Sequence, residues 1–119
     1  MKLFLDTYAM IEIVRGNEKY ARYLDEESHT NIFNLYELYY ILLRDFEKET
    51  AKKYFESFKK FCIEVKDGWI FLASEFKLKN KNVSFADALG YITAKENMFS
   101  FLTGDSTFKE LENVEFVKS

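Results

Sequence analysis

Short apolar runs alternate with longer amphipathic segments along the whole of this 119-residue chain, and no Pro interrupts them. A short apolar run is typical of a strand buried on both faces, whereas a longer segment with one apolar stripe is typical of a helix. Strands that alternate with helices indicate an α/β fold with a mainly parallel sheet. We therefore predict a single α/β domain over residues 1–119, built around one core.

This pattern predicts five strands. They lie at residues 2–6, 29–33, 62–65, 98–103 and 114–117. The helical segments between and around them lie at residues 7–15, 17–28, 34–46, 49–61, 68–78, 84–97 and 106–111. We expect the connections between parallel strands to be right-handed.

The single Cys and the single His of the chain exclude several classes of site. Cys62 alone cannot form an internal disulfide or a multi-cysteine zinc site, and His29 lacks the second His of a zinc protease motif. Neither a P-loop nor a Gly-x-Ser-x-Gly turn is present. If the protein is an enzyme, its carboxylates are therefore the expected catalytic groups.

The formal net charge of −3 indicates no general affinity for nucleic acid. One basic segment, residues 77–82, carries Lys77, Lys79 and Lys81, which could contact an RNA backbone or simply form a solvated loop. No stretch has the length and apolarity of a membrane span, and the start does not resemble a signal peptide. We therefore expect a cytoplasmic protein with no membrane partner.

Four acidic residues fall where ligands gather in α/β folds. Asp6 ends the first predicted strand and Asp105 follows the fourth, while Glu37 and Asp87 lie in the first turns of predicted helices. In open parallel sheets, ligands bind beyond the carboxyl ends of the strands. We therefore expect the four carboxylates to lie at the same edge of the sheet.

Each of these acids also has a purely structural interpretation. The segments 34–37 and 84–87 both resemble capping boxes. An Asp that ends a strand often accepts a hydrogen bond from the backbone of the turn that follows. Four neighbouring carboxylates repel one another, however, unless a cation compensates their charge. Mg²⁺ and Mn²⁺ prefer oxygen ligands, so a metal site is the alternative interpretation, and it is compatible with capping.

Several motifs, taken in their order along the chain, resemble a known family. They are Asp6-Thr7, the segment NLYELYYIL around Glu37, Ser84-x-x-Asp87-Ala-Leu, and Thr103-Gly-Asp105 followed by a last strand. This order resembles the PIN domains, and within them the small VapC-type toxin ribonucleases, over nearly the whole chain. The resemblance implies a three-layer α/β/α sandwich with a central, mainly parallel five-stranded sheet in the order 3-2-1-4-5.

The resemblance also implies a metal-dependent endoribonuclease that hydrolyses phosphodiester bonds in RNA. It assigns the catalytic and metal-binding roles to Asp6, Glu37, Asp87 and Asp105, with Thr7, Ser84 and Thr103 in support. The implied cofactor is Mg²⁺ or Mn²⁺. The implied partners are an RNA substrate, a second copy of the chain in a homodimer, and a small antitoxin protein.

Other functions stay open at this point. The chain could be a catalytically silent PIN-like module that binds protein or RNA, or an RNA-processing nuclease outside a toxin–antitoxin system. A phosphatase or a receiver-like domain is a third class, but a receiver needs an adjacent acid pair at the first strand, which offers only Asp6. The departures from the family pattern, Tyr8, Asn34 and Tyr36, concern the surroundings of the acids and the substrate groove. The aromatic residues around Tyr36 fit either an interface or a crowded core.

Overall fold

The computed structural model describes residues 1–119 as four strands, five α-helices and two 3-10 helices. In chain order they are β1 (Lys2–Leu5), α1 (Thr7–Val14), a first 3-10 helix (Glu18–Tyr23), β2 (Glu27–His29), α2 (Ile32–Asp45), α3 (Lys48–Lys59), α4 (Asp67–Lys79), α5 (Phe85–Glu96), β3 (Ser100–Thr103), a second 3-10 helix (Ser106–Phe108) and β4 (Val114–Phe116). None of these helices combines the length and the apolarity needed to cross a membrane.

The four strands form one parallel sheet in the order β2-β1-β3-β4. β1 lies in the interior of the sheet, where Phe4 pairs with His29 of β2 on one side and with Phe101 of β3 on the other. The chain leaves β1 toward β2 and later returns to the opposite side of β1 as β3. This reversal lies between β1 and β3, and Asp6 and Gly104 directly follow the ends of these two strands.

Helices cover both faces of the sheet because successive strand residues point to opposite sides. Leu3, Leu5 and Leu102 join a core with residues from α1, α2 and α3. Phe4 and Phe101 join a second core with residues from α4 and α5. The predicted α/β/α layering is therefore present, with one core above the sheet and one below it.

The prediction of five strands is wrong, because residues 62–65 form no strand. A single parallel bridge joins Thr30 to Cys62, with the Thr30 N–H 2.9 Å from the Phe61 carbonyl and the Ile63 N–H 3.0 Å from the Thr30 carbonyl. β2 ends at His29 and α2 begins at Ile32, which leaves too little extended backbone for a longer ladder. In the predicted order 3-2-1-4-5, the strand that is missing is the third along the chain, at residues 62–65. The predicted strands 2, 1, 4 and 5 correspond to β2, β1, β3 and β4 and keep their predicted neighbours.

Three further boundaries differ from prediction. β2 spans Glu27–His29 rather than residues 29–33, because Asn31 caps α2 by accepting a 3.0 Å hydrogen bond from the Asn34 N–H. Of the predicted helix over residues 17–28, only a 3-10 helix over Glu18–Tyr23 forms, and the chain then enters β2. The predicted helical turn over residues 106–111 is likewise a short 3-10 helix, Ser106–Phe108.

Gly90 allows α5 to pack directly on the sheet and on α2. A Cβ atom at this position would lie 2.8 Å from Cε1 of Phe4 and 3.3 Å from Nδ2 of Asn34. Because a real Cβ atom does not approach another atom this closely, only glycine permits the observed distance. This close approach brings the start of α5, where Asp87 lies, toward the ends of β1 and β3.

Candidate functional site

A pocket of about 490 Å³ lies beyond the carboxyl ends of β1 and β3. All four predicted carboxylates line it, namely those of Asp6, Glu37, Asp87 and Asp105. Asp6 and Asp105 arrive from the ends of neighbouring strands, Asp87 from the first turn of α5 and Glu37 from α2. The structure therefore brings the four acids together in one acid pocket, as the sheet-edge argument predicts.

Asp6 lies at the bottom of the acid pocket and is only 1% exposed. It caps α1, since its Oδ1 accepts a 2.8 Å hydrogen bond from the Ala9 N–H. Burial, together with the nearby carboxylates of Asp87 and Asp105, raises the pKa of Asp6 to about 8 against the lowering effect of its hydrogen bonds. In the protein alone, the ionised form of this carboxyl group is therefore strongly disfavoured.

Thr103 connects two of the acids. Its Oγ1 donates a hydrogen bond to Oδ2 of Asp6 and accepts one of 3.0 Å from the N–H of Asp105. Asp105 in turn caps the second 3-10 helix, with its Oδ1 2.9 Å from the Thr107 N–H. Thr103 is fully buried and does not line the pocket itself, and it contacts the carboxylate of Asp6 and the backbone of Asp105.

Asp87 combines a capped helix start with a partly buried carboxylate. Ser84 caps α5 by accepting a 3.1 Å hydrogen bond from the Asp87 N–H. This is one of the two hydrogen bonds of the predicted capping box. Burial, together with the carboxylates of Glu37 and Asp105, raises the pKa of Asp87 to about 6. Ser84 thus supports the site through the backbone and does not line the pocket.

The predicted capping box at residues 34–37 is wrong, because Asn31 rather than Asn34 caps α2. Glu37 therefore lies one turn further into the helix, where it is exposed at the pocket wall. Asn34 is instead buried and accepts a 3.0 Å hydrogen bond from the Thr7 hydroxyl. Thr7 lines the pocket, so this contact ties the start of α1 to α2 beneath the acids.

The donor chemistry of the acid pocket fits a divalent cation. All four acids offer carboxylate oxygens, which hard cations such as Mg²⁺ and Mn²⁺ prefer. The raised pKa values of Asp6 and Asp87 mark carboxylates that lack a compensating positive charge. No three acidic, His or Cys side chains lie close enough together to hold one ion in this arrangement, so the metal ligand set stays a prediction.

The predicted lysine contacts lie away from the acid pocket. Lys77 donates a 2.6 Å hydrogen bond to the Val83 carbonyl and lies 4.7 Å from the ring centre of Phe85. Lys77 and Lys81 line apolar clefts beside α4 instead, and Lys79 is exposed on the last turn of that helix. None of the three lines the acid pocket, and RNA contact by these lysines stays a prediction.

Several pocket residues are missed by reasoning from sequence. Glu12 is only 7% exposed and accepts hydrogen bonds from Asn17 and Arg15. Arg15 and Arg44 line the same pocket as the acids. The spacing of the two arginines could have identified them from the sequence. Arg15 follows Tyr8 by seven residues and Arg44 follows Glu37 by seven, so the two members of each pair lie on the same helix face.

Tyr8 explains one departure from the family pattern. Its ring packs on Gly104, where a Cβ atom would lie 2.0 Å from the ring edge. Its hydroxyl donates to the Ser119 hydroxyl at 2.6 Å and accepts from the Ser119 N–H at 3.0 Å. A small polar residue at position 8 could not make this bridge, so Tyr8 forms one wall of the pocket.

Comparison of the fold with solved structures gives neighbours at low sequence identity. A toxin–antitoxin complex from Klebsiella pneumoniae is 13% identical with a TM-score of 0.80, over 98% of this chain and 99% of that one. VapBC2 from Rickettsia felis, bound to a DNA fragment from its promoter, is 18% identical with a TM-score of 0.76, over 99% and 98%. VapC20 from Mycobacterium tuberculosis, described as a Sarcin-Ricin loop cleaving toxin, is 17% identical with a TM-score of 0.73, over 98% of each chain.

These likenesses show that the whole chain shares the fold of such proteins. A search of curated proteins by sequence finds no match. The sequence pattern of the PIN domain family, in contrast, matches residues 3–114, which include all four acids of the pocket. The chain therefore belongs to the PIN domain family.

Proposed function

We propose that this protein is an Mg²⁺- or Mn²⁺-dependent endoribonuclease that acts as the toxin of a VapBC-type toxin–antitoxin pair. The observation that carries the proposal is the convergence of Asp6, Glu37, Asp87 and Asp105 in one pocket. These residues come from four separate segments, and Asp6 is buried although burial strongly disfavours its charge. A carboxylate retained at such a cost is typical of a functional site.

In this proposal the chain itself orients the carboxylates. The Ala9 N–H and the Thr103 hydroxyl each engage one oxygen of Asp6, which fixes the direction of that carboxylate. Asp87 is aimed into the pocket by the capped start of α5. Glu37 is exposed and able to reorient, so it is the group assigned to accept a proton from the attacking water. A bound divalent cation would supply Lewis-acid chemistry, lowering the pKa of water and offsetting phosphate charge.

The toxin assignment rests on the neighbours in fold and on one surface of the chain. One of those neighbours is described as a toxin–antitoxin complex, one as VapBC2 and one as the toxin VapC20. This chain exposes Phe33, Tyr36, Tyr40 and Phe85 around one cleft, which we term the aromatic face. Exposed apolar patches of this kind are typical of interaction surfaces. We assign the aromatic face to homodimer formation, and we assign an antitoxin protein as the further partner.

Metal-dependent cleavage of RNA tests the proposed function. The purified protein is incubated with a fluorescent single-stranded RNA and with a hairpin RNA, in Mg²⁺, in Mn²⁺ and in EDTA. We expect cleavage in either metal and none in EDTA. We expect a loss of at least about 100-fold for Asp6→Asn and Asp87→Asn, because losing an outer partner of a metal ligand already costs about 10–100-fold and these substitutions change the proposed ligands themselves. Glu110→Gln removes a carboxylate on the exposed surface and is the control expected to retain activity.

A catalytically silent interaction module is the second candidate. The absence of three carboxylates within common reach of one ion favours it. Cleavage that persists in EDTA or in both Asp variants would contradict the metal-dependent mechanism. A folded wild-type protein that binds Mn²⁺ in calorimetry but cleaves neither RNA would support the silent module.

A further inference from the structure

The lining of the acid pocket follows two helices. One wall contains Tyr8, Ile11 and Arg15 of the α1 segment, and the other contains Glu37, Ile41 and Arg44 of α2. Seven residues are nearly two helical turns, so each wall presents one stripe about 10 Å long. The pocket is therefore a trough with the four predicted acids at one end and two arginines, beside the carboxylate of Glu12, at the other.

The arginine end, which we define as Arg15 and Arg44, is held in place by acidic neighbours. Arg15 contacts Glu12 Oε2 at 3.3 Å and Asp45 Oδ2 at 3.7 Å, and Arg44 donates through Nε to Asp45 Oδ1 at 3.0 Å. Asp45 thus bridges the two guanidinium groups and holds the last turn of α2 near the end of α1. These contacts restrict the arginine side chains before any ligand binds.

Arg44 keeps unused hydrogen-bond donors in this arrangement. A guanidinium group carries five N–H donors, and the contact with Asp45 uses only Nε. The side chain is 59% exposed, so the two terminal nitrogens are open to solvent at the pocket wall. Paired terminal N–H groups are suited to bidentate contact with a phosphate.

We propose that Arg44, positioned beside Arg15, binds a phosphate of the RNA backbone that neighbours the phosphate under attack at the carboxylates. The proposal rests on the proposed nuclease function and names the residue that aligns the substrate along the trough. Arg44 is a positioning residue, because it contacts the substrate about 10 Å from the reacting atoms. It supplies the positive contact that Lys77, Lys79 and Lys81 do not bring to this pocket.

RNA binding measured without cleavage tests this assignment. The Asp87→Asn protein in Mg²⁺ is titrated into a fluorescent single-stranded RNA oligonucleotide, and anisotropy gives Kd from 50 to 300 mM KCl. Adding Arg44→Gln is expected to weaken binding roughly tenfold at the lowest salt and to reduce the slope of log K against log salt by about 0.7, the value for one lost single-strand phosphate contact. Lys53→Gln in the same background removes the same charge from an exposed position of α3 that does not line the pocket, and it should change neither quantity.

The arginine variant and the lysine control are expected to give different outcomes in this assay. Equal losses for Arg44→Gln and Lys53→Gln, or no loss for Arg44→Gln, would overturn the assignment. Arg44→Lys should restore the salt slope but only part of the affinity, since Lys keeps the charge without the paired donors. If the arginine dependence is present but the wild type never cleaves RNA, the proposed nuclease function fails and the phosphate contact stands. If the wild type cleaves RNA and Arg44→Gln leaves both Kd and kcat/KM unchanged, only the phosphate contact fails.

Discussion

At the scale of single residues, Asp6 shows how a cap becomes part of a site. An Asp at a helix N-cap usually stabilises the helix as an exposed carboxylate. Here the same residue is buried beneath Asp87 and Asp105, so its charge is disfavoured by burial and by repulsion. The hydrogen bond from Thr103 limits this cost without removing it. The same burial among carboxylates that would place Asp6 beside a bound cation therefore disfavours its charged form when no cation is bound.

This environment predicts a pH dependence of stability in the metal-free protein. The pKa of Asp6 rises from 3.8 to about 8 on folding, so the folded chain holds this proton more tightly than the unfolded chain. The resulting stabilisation is complete below pH 3.8 and is lost as the pH rises through about 8. In EDTA, we expect the free energy of unfolding to fall between pH 6 and pH 8 by up to about 1.4 kcal/mol per pH unit.

Urea denaturation at several pH values checks this expectation. Asp6→Asn keeps a capping side chain but cannot ionise, so its stability should vary much less between pH 6 and pH 8. The pKa of Asp87 rises only to about 6, so Asp87→Asn should change the pH dependence mainly below that range. A wild-type protein whose stability rises from pH 6 to pH 8 in EDTA would contradict the burial of a protonated Asp6.

At the scale of elements, the position of α5 depends on close packing at one glycine. Gly90 lies against the ring of Phe4, which is fully buried and stacked against Phe101 with ring centres 5.9 Å apart. The ring cannot move away without disturbing the core on that face of the sheet. Because Asp87 is on the first turn of the same helix, any shift of α5 also moves a carboxylate of the acid pocket.

Gly90→Ala is therefore expected to destabilise the protein although Ala favours helices. Overpacking typically costs about 1–3 kcal/mol and the helix propensity gain is about 1 kcal/mol, so we expect a net loss of up to about 2 kcal/mol. Gly68→Ala is the matched control, because Gly68 lies in α4 with no atom within 4 Å of the added Cβ. Its substitution should leave stability unchanged or raise it by less than about 1 kcal/mol. Equal effects of the two substitutions in urea denaturation would show that α5 does not need this approach.

At the scale of the whole molecule, two surfaces meet at Glu37. The acid pocket lies on one side of this residue and the aromatic face on the other. Tyr36 and Phe85 are 78% and 81% exposed, which is unusual for aromatic side chains grouped around one cleft. A second copy that covers the aromatic face would lie directly beside the acid pocket and would form part of the substrate groove.

A negative charge introduced on the aromatic face is expected to disrupt the proposed homodimer. We expect the wild type to sediment as a dimer and Tyr36→Glu to sediment as a monomer, because a second carboxylate beside Glu37 cannot be buried there without a partner. Leu24→Glu is the control, since Leu24 is 60% exposed outside the aromatic face and its substitution should leave the dimer intact. A wild type that is monomeric at its highest soluble concentration would refute this use of the aromatic face.

The sequence by itself determined the elements and the positions of the acids along them. The short apolar runs predict β1, β3 and β4, because such a run indicates a strand buried on both faces. The period of 3.6 predicts the five α-helices, because it records which face of a helix is apolar. The sequence also predicts that Asp6 and Asp105 follow strands and that Asp87 begins a helix. Parallel strands align their carboxyl ends, so this local information was enough to expect four acids at one edge.

Only the tertiary structure decided the hydrogen bonds, the burial and the pKa values of those acids. The hydroxyl of Thr103 donates a hydrogen bond to Asp6, 97 residues away in the sequence, and the hydroxyl of Thr7 donates one to Asn34, 27 residues away. A local sequence pattern predicts neither contact. The missing fifth strand has the same origin, because an early start of α2 at the Asn31 cap leaves residues 62–65 without a strand to pair with. Burial, pKa and the arginine end of the trough depend on distances between elements, and these distances are set by packing rather than by periodicity.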